Sequence, residues 1–219
     1  MRPMFRVLLA FLLSCVPPAV WACDTALVLT IDVSNSVDVA EYRLQTDGLA
    51  AALRDPEIVD ALVKGETAVA VVQWSGAERQ DLSIPWQRIR TRLDAELLAG
   101  RATAMERAFV LSDTAPAEAI YFALDLFADV PDCARKVIDV SGDGTPNGGS
   151  DVRAARQAAE LAGVTINGIA IESMGLAITG FYKSAVITRN GFVITARTHR
   201  DYPSAIRAKI LREISKIIG

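Results

Sequence analysis

The chain has 219 residues, of which 23 are Lys or Arg and 26 are Asp or Glu, so its formal net charge is −3. This acidic balance argues against non-specific binding to nucleic acid. The length suits one domain of ordinary size. After the first 22 residues, no apolar run reaches the roughly 20 residues that cross a bilayer.

The first 22 residues have the features of a secretory signal peptide. Arg2 and Arg6 precede an apolar stretch over residues 7–16, and Pro17-Pro18 ends that stretch. Ala22 then stands where a signal peptidase accepts a small residue. We predict a signal peptide over 1–22 and a mature domain over 23–219, exported to the periplasm or beyond. Removal of the signal peptide lowers the number of Lys and Arg residues from 23 to 21, whereas the 26 Asp and Glu residues remain. The net charge of the mature domain is then near −5.

Two alternatives for the leader remain open. A retained membrane anchor is disfavoured because the apolar stretch is shorter than a bilayer span. Attachment of a lipid at Cys23 would need a processing site that residues 20–23 resemble only loosely, since Trp21 is bulky where a small residue is expected.

Apolar runs alternate with amphipathic stretches along the mature chain. In the first half, the pattern predicts a strand over 25–32, helices over 39–54 and 56–63, strands over 67–74 and 79–84, and a helix over 87–98. A polar connection over 99–113 follows, and then a helix over 115–128, a strand over 136–140 and a helix over 151–162. The last part contains a strand over 164–171, a short helix within 176–187, a strand over 191–196 and a helix over 202–218. This alternation predicts an α/β fold, a doubly wound and mostly parallel six-stranded sheet with helices on both faces.

Two acidic loops follow predicted strands. Asp32-Val33-Ser34-Asn35-Ser36 follows the apolar run 26–31, and Asp143 follows the fourth strand. Carboxylate and hydroxyl oxygens are ligands that Mg²⁺ or Mn²⁺ prefers, whereas the first loop contains neither His nor Cys for zinc. In doubly wound sheets, the first strands of the two halves flank the ligand-binding switch point. We therefore expect the two loops to meet there.

The cysteines support the same strand pairing. Cys23 lies nine residues before Asp32, and Cys133 lies ten residues before Asp143. If the two strands are parallel neighbours, the cysteines face each other at the end of the sheet opposite the acids. An even pair in an exported protein favours a disulfide, and the alternative is two free thiols.

The chain resembles a von Willebrand factor A-type domain with a metal-ion-dependent adhesion site, over about residues 25–218. D-x-S-x-S at the end of the first strand is the most specific part. Longer strings are similar to a bacterial secreted subgroup without an established function, namely Ile31-Asp32-Val33-Ser34, Tyr42-Arg43-Leu44-Gln45, Trp74-Ser75-Gly76 and Val137-Ile138-Asp139-Val140-Ser141-Gly142-Asp143-Gly144. The resemblance implies a Rossmann-like fold and a binding module rather than an enzyme.

The resemblance also implies a ligand set for Mg²⁺ or Mn²⁺. It comprises Asp32, Ser34, Ser36, Thr114 and Asp143. Thr103 is a rival for Thr114, because the loop before Thr114 lacks the glycines often seen in the family. The open coordination position is expected to take an Asp or Glu carboxylate from a partner protein.

Several less specific interpretations stand beside this one. Asp32-Val33-Ser34-Asn35-Ser36 could be a helix N-cap, since Asp and Ser are preferred there. The chain could be a metal-dependent hydrolase resembling a phosphatase, or a structural domain without metal. Among the other polar residues, we expect Asp139 to serve structure, Asp113 to cap the next helix, and His199 to be an ordinary surface or helix-start residue.

Overall fold

The structure is a computed structural model that describes residues 23–172 and 177–215. The predicted signal peptide, the first residue of the short helix predicted within 176–187, and residues 216–218 of the predicted closing helix lie outside the described residues. The strands are β1 Cys23–Asp32, β2 Ala68–Trp74, β3 Gln80–Arg88, β4 Cys133–Gly142, β5 Thr165–Ile171 and β6 Val193–Ala196. The α-helices are α1 Val39–Arg54, α2 Pro56–Lys64, α3 Arg92–Ala104, α4 Pro116–Leu126, α5 Val152–Leu161, α6 Ala177–Phe181 and α7 Tyr202–Ser215.

The strands form one sheet in the order β3-β2-β1-β4-β5-β6. Every neighbouring pair is parallel except β2 and β3, which are antiparallel. Side chains of β1 alternate between two cores: Leu27 and Leu29 face the helices α1, α2, α3 and α7, whereas Ala26 and Val28 face the other core, with α4 and α5. The predicted doubly wound, mostly parallel six-stranded α/β fold is confirmed.

The third strand and the helix after it differ from the prediction. Strand β3 continues through Pro85 to Arg88, where a helix was predicted to begin at 87. Its pairing with β2 is irregular between Ile84 and Gln87, and an irregular edge strand tolerates a proline because the missing N–H breaks no regular ladder. Helix α3 begins only after its N-cap Thr91 and extends into the segment predicted as a polar connection.

The disulfide between Cys23 and Cys133 is present, as predicted. The two residues are direct partners in the β1–β4 register, with their Cα atoms 4.4 Å apart. They lie at the end of the sheet opposite Asp32 and Asp143. Because Cys23 Sγ is bonded to Cys133, the structure supports neither free thiols nor a lipid on Cys23.

Asp139 belongs to a buried ionic cluster, which supports the structural role predicted for it. Lys209 Nζ lies 2.6 Å from Asp139 Oδ2 and 2.6 Å from Glu213 Oε1. Asn167 Nδ2 donates a 2.8 Å hydrogen bond to Glu213 Oε1. Burial raises the pKa of Asp139 to about 7 against the opposing effect of Lys209. The cluster attaches α7 to the middle of the sheet.

Candidate metal centre

The loops after β1 and β4 meet at the carboxyl edge of the sheet. The register pairs Ile31 with Ser141, so Asp32, the last residue of β1, and Asp143, the first residue after β4, lie at the same edge. Ser36 Oγ donates a 2.6 Å hydrogen bond to Asp143 Oδ1, and it lies 3.1 Å from Ser34 Oγ. Asp32 Oδ1 accepts a 2.7 Å hydrogen bond from the backbone N–H of Ser34. The structure thus brings together the four residues predicted from these two loops.

Gly142 allows the loops to approach so closely. A Cβ atom on this residue would lie 2.9 Å from Asp32 Oδ2 and 2.8 Å from the Tyr182 hydroxyl oxygen. Any side chain at this position would displace one of those groups. The glycine before Asp143 therefore provides the space that the buried Asp32 carboxylate occupies.

Thr114 lies on the other side of the Asp143 loop. Its backbone N–H donates a 2.8 Å hydrogen bond to Asn147 Oδ1, and its carbonyl oxygen accepts a 3.1 Å bond from the Asn147 N–H. Its hydroxyl oxygen is 3.6 Å from the point where a Cβ on Gly144 would lie. By contrast, the rival Thr103 lies within α3, where its hydroxyl donates to the carbonyl of Ala99.

The helix after Thr114 begins differently from the prediction. Helix α4 starts at Pro116, its N-cap is Ala115, and no side chain caps it. The predicted capping role of Asp113 is therefore wrong. The Asp113 carbonyl oxygen instead accepts a 3.0 Å hydrogen bond from Ser75 Oγ, which ties the Thr114 loop to the end of β2.

The Asp32 carboxylate is buried without full compensation. The residue is 0% exposed, and its Oδ2 atom has no hydrogen-bond partner among the residues that the structure describes. Burial raises the pKa of Asp32 to about 7; hydrogen bonds from Ser34 lower it, and the nearby Asp143 charge raises it further. A buried carboxylate oxygen with free lone pairs, close to hydroxyls and a second carboxylate, has the donor chemistry that a hard divalent cation requires. These residues therefore fit Mg²⁺ or Mn²⁺.

Arg107 contributes to the site from the segment that was predicted only as a polar connection. Its Nη2 donates 2.9 Å hydrogen bonds to the carbonyl oxygens of both Val33 and Ser34. This fixes the backbone of the first acidic loop. The contact joins residues more than 70 positions apart, and no local pattern in the sequence indicates it.

His199 also lies at this edge of the sheet. It begins a short 3₁₀ helix, His199–Asp201, but its side chain is only 10% exposed. Nδ1 is 3.0 Å from Glu41 Oε1, and Nε2 is 3.8 Å from Asp143 Oδ2. The prediction of an ordinary surface or helix-start residue is right about the helix start, but it is wrong about the surface and misses the position beside Asp143.

The candidate metal centre depends on hydroxyl groups as well as carboxylates. Within the described ranges 23–172 and 177–215, no three His, Cys, Asp or Glu side chains converge in a geometry that could hold a metal ion. Two carboxylates with the hydroxyls of Ser34, Ser36 and Thr114 form a different kind of donor set, dominated by neutral oxygens.

The surface around the site is partly apolar. Val39, Val110 and Leu111 are 74%, 60% and 83% exposed. Leu111 has a φ of +53°, a conformation that costs a non-glycine residue free energy. It lines a surface cavity of about 670 Å³ together with Asn35 and Asn147. Asn35 lies between the two serines, so the cavity opens directly beside the candidate metal centre.

Comparisons with known proteins place the chain in a family. The family described as protein of unknown function (DUF1194) matches residues 22–218. This chain belongs to the DUF1194 family. A search of curated proteins gave no match.

Solved structures show that this DUF1194 chain has a von Willebrand factor A-type fold. The von Willebrand factor domain of the type V pili tip protein Mfa5 from Porphyromonas gingivalis is 11% identical, with a TM-score of 0.64 over 90% of this chain and 97% of that one. Proximal thread matrix protein 1 from the mussel byssus, with a zinc-occupied metal-ion-dependent adhesion site motif, is 16% identical, with a TM-score of 0.68 over 88% and 48%. The pilus adhesin SpaC from Lactobacillus rhamnosus GG is 14% identical, with a TM-score of 0.63 over 90% and 30%.

The match is to a domain rather than to whole proteins in most cases. The DUF1194 chain spans less than half of the mussel protein and of SpaC, but nearly all of the Mfa5 domain. At these identities the likeness shows the fold alone, and it supports the resemblance to von Willebrand factor A-type domains at that level. No helix among the described residues is both long and apolar enough to cross a bilayer.

Proposed function

We propose that this protein is an exported binding module that holds Mg²⁺ or Mn²⁺ and uses it to recognise an Asp or Glu carboxylate of a partner protein. The observation that carries the proposal is the fully buried Asp32 carboxylate, which lies near Asp143 and has an Oδ2 atom without a hydrogen-bond partner in the described part of the chain. Leaving a buried carboxylate uncompensated is costly, and a bound cation would provide the missing compensation.

The hydroxyl and carboxylate residues would have different roles as metal ligands. Ser34, Ser36 and Thr114 would ligate the ion through their hydroxyl oxygens, and Asp32 and Asp143 would ligate it directly or through water. Three neutral hydroxyls and two carboxylates leave the ion able to accept one more anionic oxygen. When bound, the ion supplies an open coordination position for that oxygen.

A protein partner is favoured by the surface around the site. The exposed Val39, Val110 and Leu111 give the rim apolar area that a protein surface can cover. The cavity beside Asn35 can receive residues that flank the partner carboxylate. SpaC is a pilus adhesin and Mfa5 a pilus tip protein, which agrees with an adhesion-type role. Export to the periplasm or beyond is supported by the leader-like first 22 residues and by the disulfide.

A role as a binding module rather than an enzyme is favoured by the absence of a catalytic pair in the first loop. A phosphatase that uses an aspartate nucleophile would need a second acid two residues after Asp32, and this chain has Ser34 there. Ser34 Oγ lies 3.1 Å from Ser36 Oγ, the arrangement of two hydroxyl ligands rather than of a nucleophile and its base.

A metal-dependent pull-down from the cell envelope of the source organism tests the proposal. The immobilised protein should retain a partner in Mg²⁺ or Mn²⁺ and release it in chelator. The Asp32→Ala variant should retain none, while the matched variant Asp47→Ala, at an exposed acid of α1, should behave as the wild type. Retention that survives both the chelator and Asp32→Ala would overturn the proposal.

A further inference from the structure

Helix α3 carries apolar side chains on the side that faces away from the domain. The residues that it buries in the core are Ala95, Leu98, Ala99 and Ala102. Leu93 and Leu97 stand on the opposite side of the helix, one turn apart, and they are 66% and 52% exposed. Polar side chains ordinarily cover that side of a surface helix. Two leucines in line there give this face the character of a contact surface.

Gly100 and Ala104 continue the same side of the helix. Together with Leu93 and Leu97 they form what we call the α3 strip. A Cβ atom on Gly100 would meet no described atom within 4 Å beyond its own turns of the helix. Glycine inside a helix is less stable than alanine, and here the domain itself leaves room for a side chain. The glycine is explained if another side chain fills that notch from outside the domain.

An antiparallel copy of α3 is complementary to the α3 strip in shape. When Leu97 of one copy lies opposite Gly100 of the other, Leu93 lies opposite Ala104 of the other. Each leucine therefore meets a small residue, and the arrangement repeats itself on both sides of a two-fold axis. Small residues at the contact let two helix axes approach to about 8 Å.

The α3 strip ends beside a surface cavity. Ala104 lines this cavity, which has a volume of about 750 Å³, together with the apolar residues Pro85, Met105 and Phe109. Because Leu93 of the second copy lies opposite Ala104, its side chain projects over the cavity. The exposed end of each strip thus meets the concave end of the other.

The charges beside the α3 strip favour the same pairing. Asp94 and the exposed Arg101 lie about two turns apart, so both border the strip on the same side. A two-fold axis keeps that side common to both copies. Arg101 of each copy then lies within about 3 Å, along the helix axis, of Asp94 of the other, so opposite charges meet. On the other side of the strip, Arg92 and Glu96 already form ion pairs within their own chain.

We propose that a second copy of this chain docks antiparallel on the α3 strip and forms a two-fold symmetric dimer. No residue of the candidate metal centre takes part, so the inference stands apart from the proposed function. Helix α3 runs from the amino edge of the sheet, where Arg88 of β3 pairs with Ala68, toward the carboxyl edge, where Arg107 holds the first acidic loop. Because α3 is reversed in the second copy, the two candidate metal centres face opposite sides of the dimer.

Sedimentation equilibrium of the purified mature protein tests the proposal. A contact built on one helix pair is small, so a dissociation constant in the micromolar range is expected. The mean mass should rise from that of the monomer to twice that value as the protein concentration rises, and it should be the same in Mg²⁺ and in chelator. A monomer mass up to millimolar concentration, or a dimer that chelator dissociates, would overturn the proposal.

Three variants test whether the contact lies on α3. Leu97→Glu should leave only monomer, whereas Leu161→Glu, at an 82% exposed leucine of α5, should dimerise as the wild type does. Gly100→Gln should raise the dissociation constant at least tenfold. It should also raise the unfolding midpoint of the dilute monomer, because glutamine favours a helix more than glycine does, and this gain shows that the variant is folded. Undiminished dimerisation of both Leu97→Glu and Gly100→Gln would refute the proposal.

Discussion

Ser36 Oγ donates a 2.6 Å hydrogen bond to Asp143 Oδ1 across 107 positions of the sequence. The bond joins the loop after β1 to the loop after β4, and it exists because these strands are parallel neighbours at the centre of the sheet. A cation placed between the two loops would contact oxygens that the fold already holds close together.

Asp32→Asn should stabilise the metal-free protein above neutral pH. Burial raises the pKa of Asp32 from 3.8 to about 7, so between these values the folded protein keeps a proton that the unfolded chain has released. The free energy of unfolding therefore falls as pH rises from about 4 to about 7, by up to about 4 kcal/mol. Asparagine avoids this loss and can still accept from the Ser34 N–H. Urea unfolding without metal should show the variant more stable at pH 8 and the difference fading toward pH 4.

The same variant should lose its response to metal. Adding Mg²⁺ at pH 8 should raise the unfolding midpoint of the wild type by mass action and leave that of Asp32→Asn unchanged. A wild type more stable than the variant at pH 8 without metal would contradict the buried-carboxylate account of this site.

Lys209→Met should destabilise the protein by about 3–5 kcal/mol. The substitution leaves Asp139 and Glu213 buried together without the cation that lies 2.6 Å from each. Adding Asp139→Asn and Glu213→Gln to the same chain should restore much of the loss, because no buried charge then remains. Chemical unfolding measures both. Equal stability of the single variant and the wild type would show that the cluster contributes little.

Breaking the disulfide should lower stability without changing the metal site. Cys23 and Cys133 close a loop with a sequence separation of 110, for which the chain-entropy relation gives about 4–5 kcal/mol. The bond lies at the opposite end of the sheet from Asp32. A Cys23→Ser/Cys133→Ser variant should therefore unfold at lower urea concentration but bind Mn²⁺ with nearly wild-type affinity while folded. A large loss of Mn²⁺ affinity in the folded variant would contradict the separation of the two ends.

Leu111→Asn should weaken partner binding while sparing the fold. Leu111 is 83% exposed beside the site and has a φ of +53°, which asparagine adopts more readily than leucine. The variant should be at least as stable as the wild type and bind Mg²⁺ equally. The metal-dependent pull-down should nevertheless recover less partner. Full recovery would place the partner surface elsewhere.

The sequence predicted those features that depend on strand ends. Asp32 and Asp143 close apolar runs, and Cys23 and Cys133 stand at the other ends of the same runs, so one rule about parallel sheets placed both pairs. The structure brings Asp32, Ser34, Ser36 and Asp143 together at that edge, whereas the role of Thr114 and metal binding itself stay predictions.

The features that the sequence did not predict depend on contacts between distant segments. The pattern predicted a helix from residue 87, but β3 continues through Pro85 to Arg88 as an irregular edge strand. Arg107 binds the first acidic loop from a stretch without periodicity, and His199 reaches Asp143 only because its short helix packs beside α1. Local patterns carry no information on such neighbours, since tertiary packing alone creates them.

Calorimetric titration of Mn²⁺ into two threonine variants tests the central claim most directly. Thr114→Val and Thr103→Val remove the same hydroxyl from two threonines, one beside the Asp143 loop and one within α3. The account predicts one Mn²⁺ per wild-type protein, at least tenfold weaker binding in Thr114→Val, equal to about 1.4 kcal/mol, and affinity within about twofold of the wild type in Thr103→Val. Absence of binding in the wild type, or equal affinity in the wild type and Thr114→Val, would contradict it.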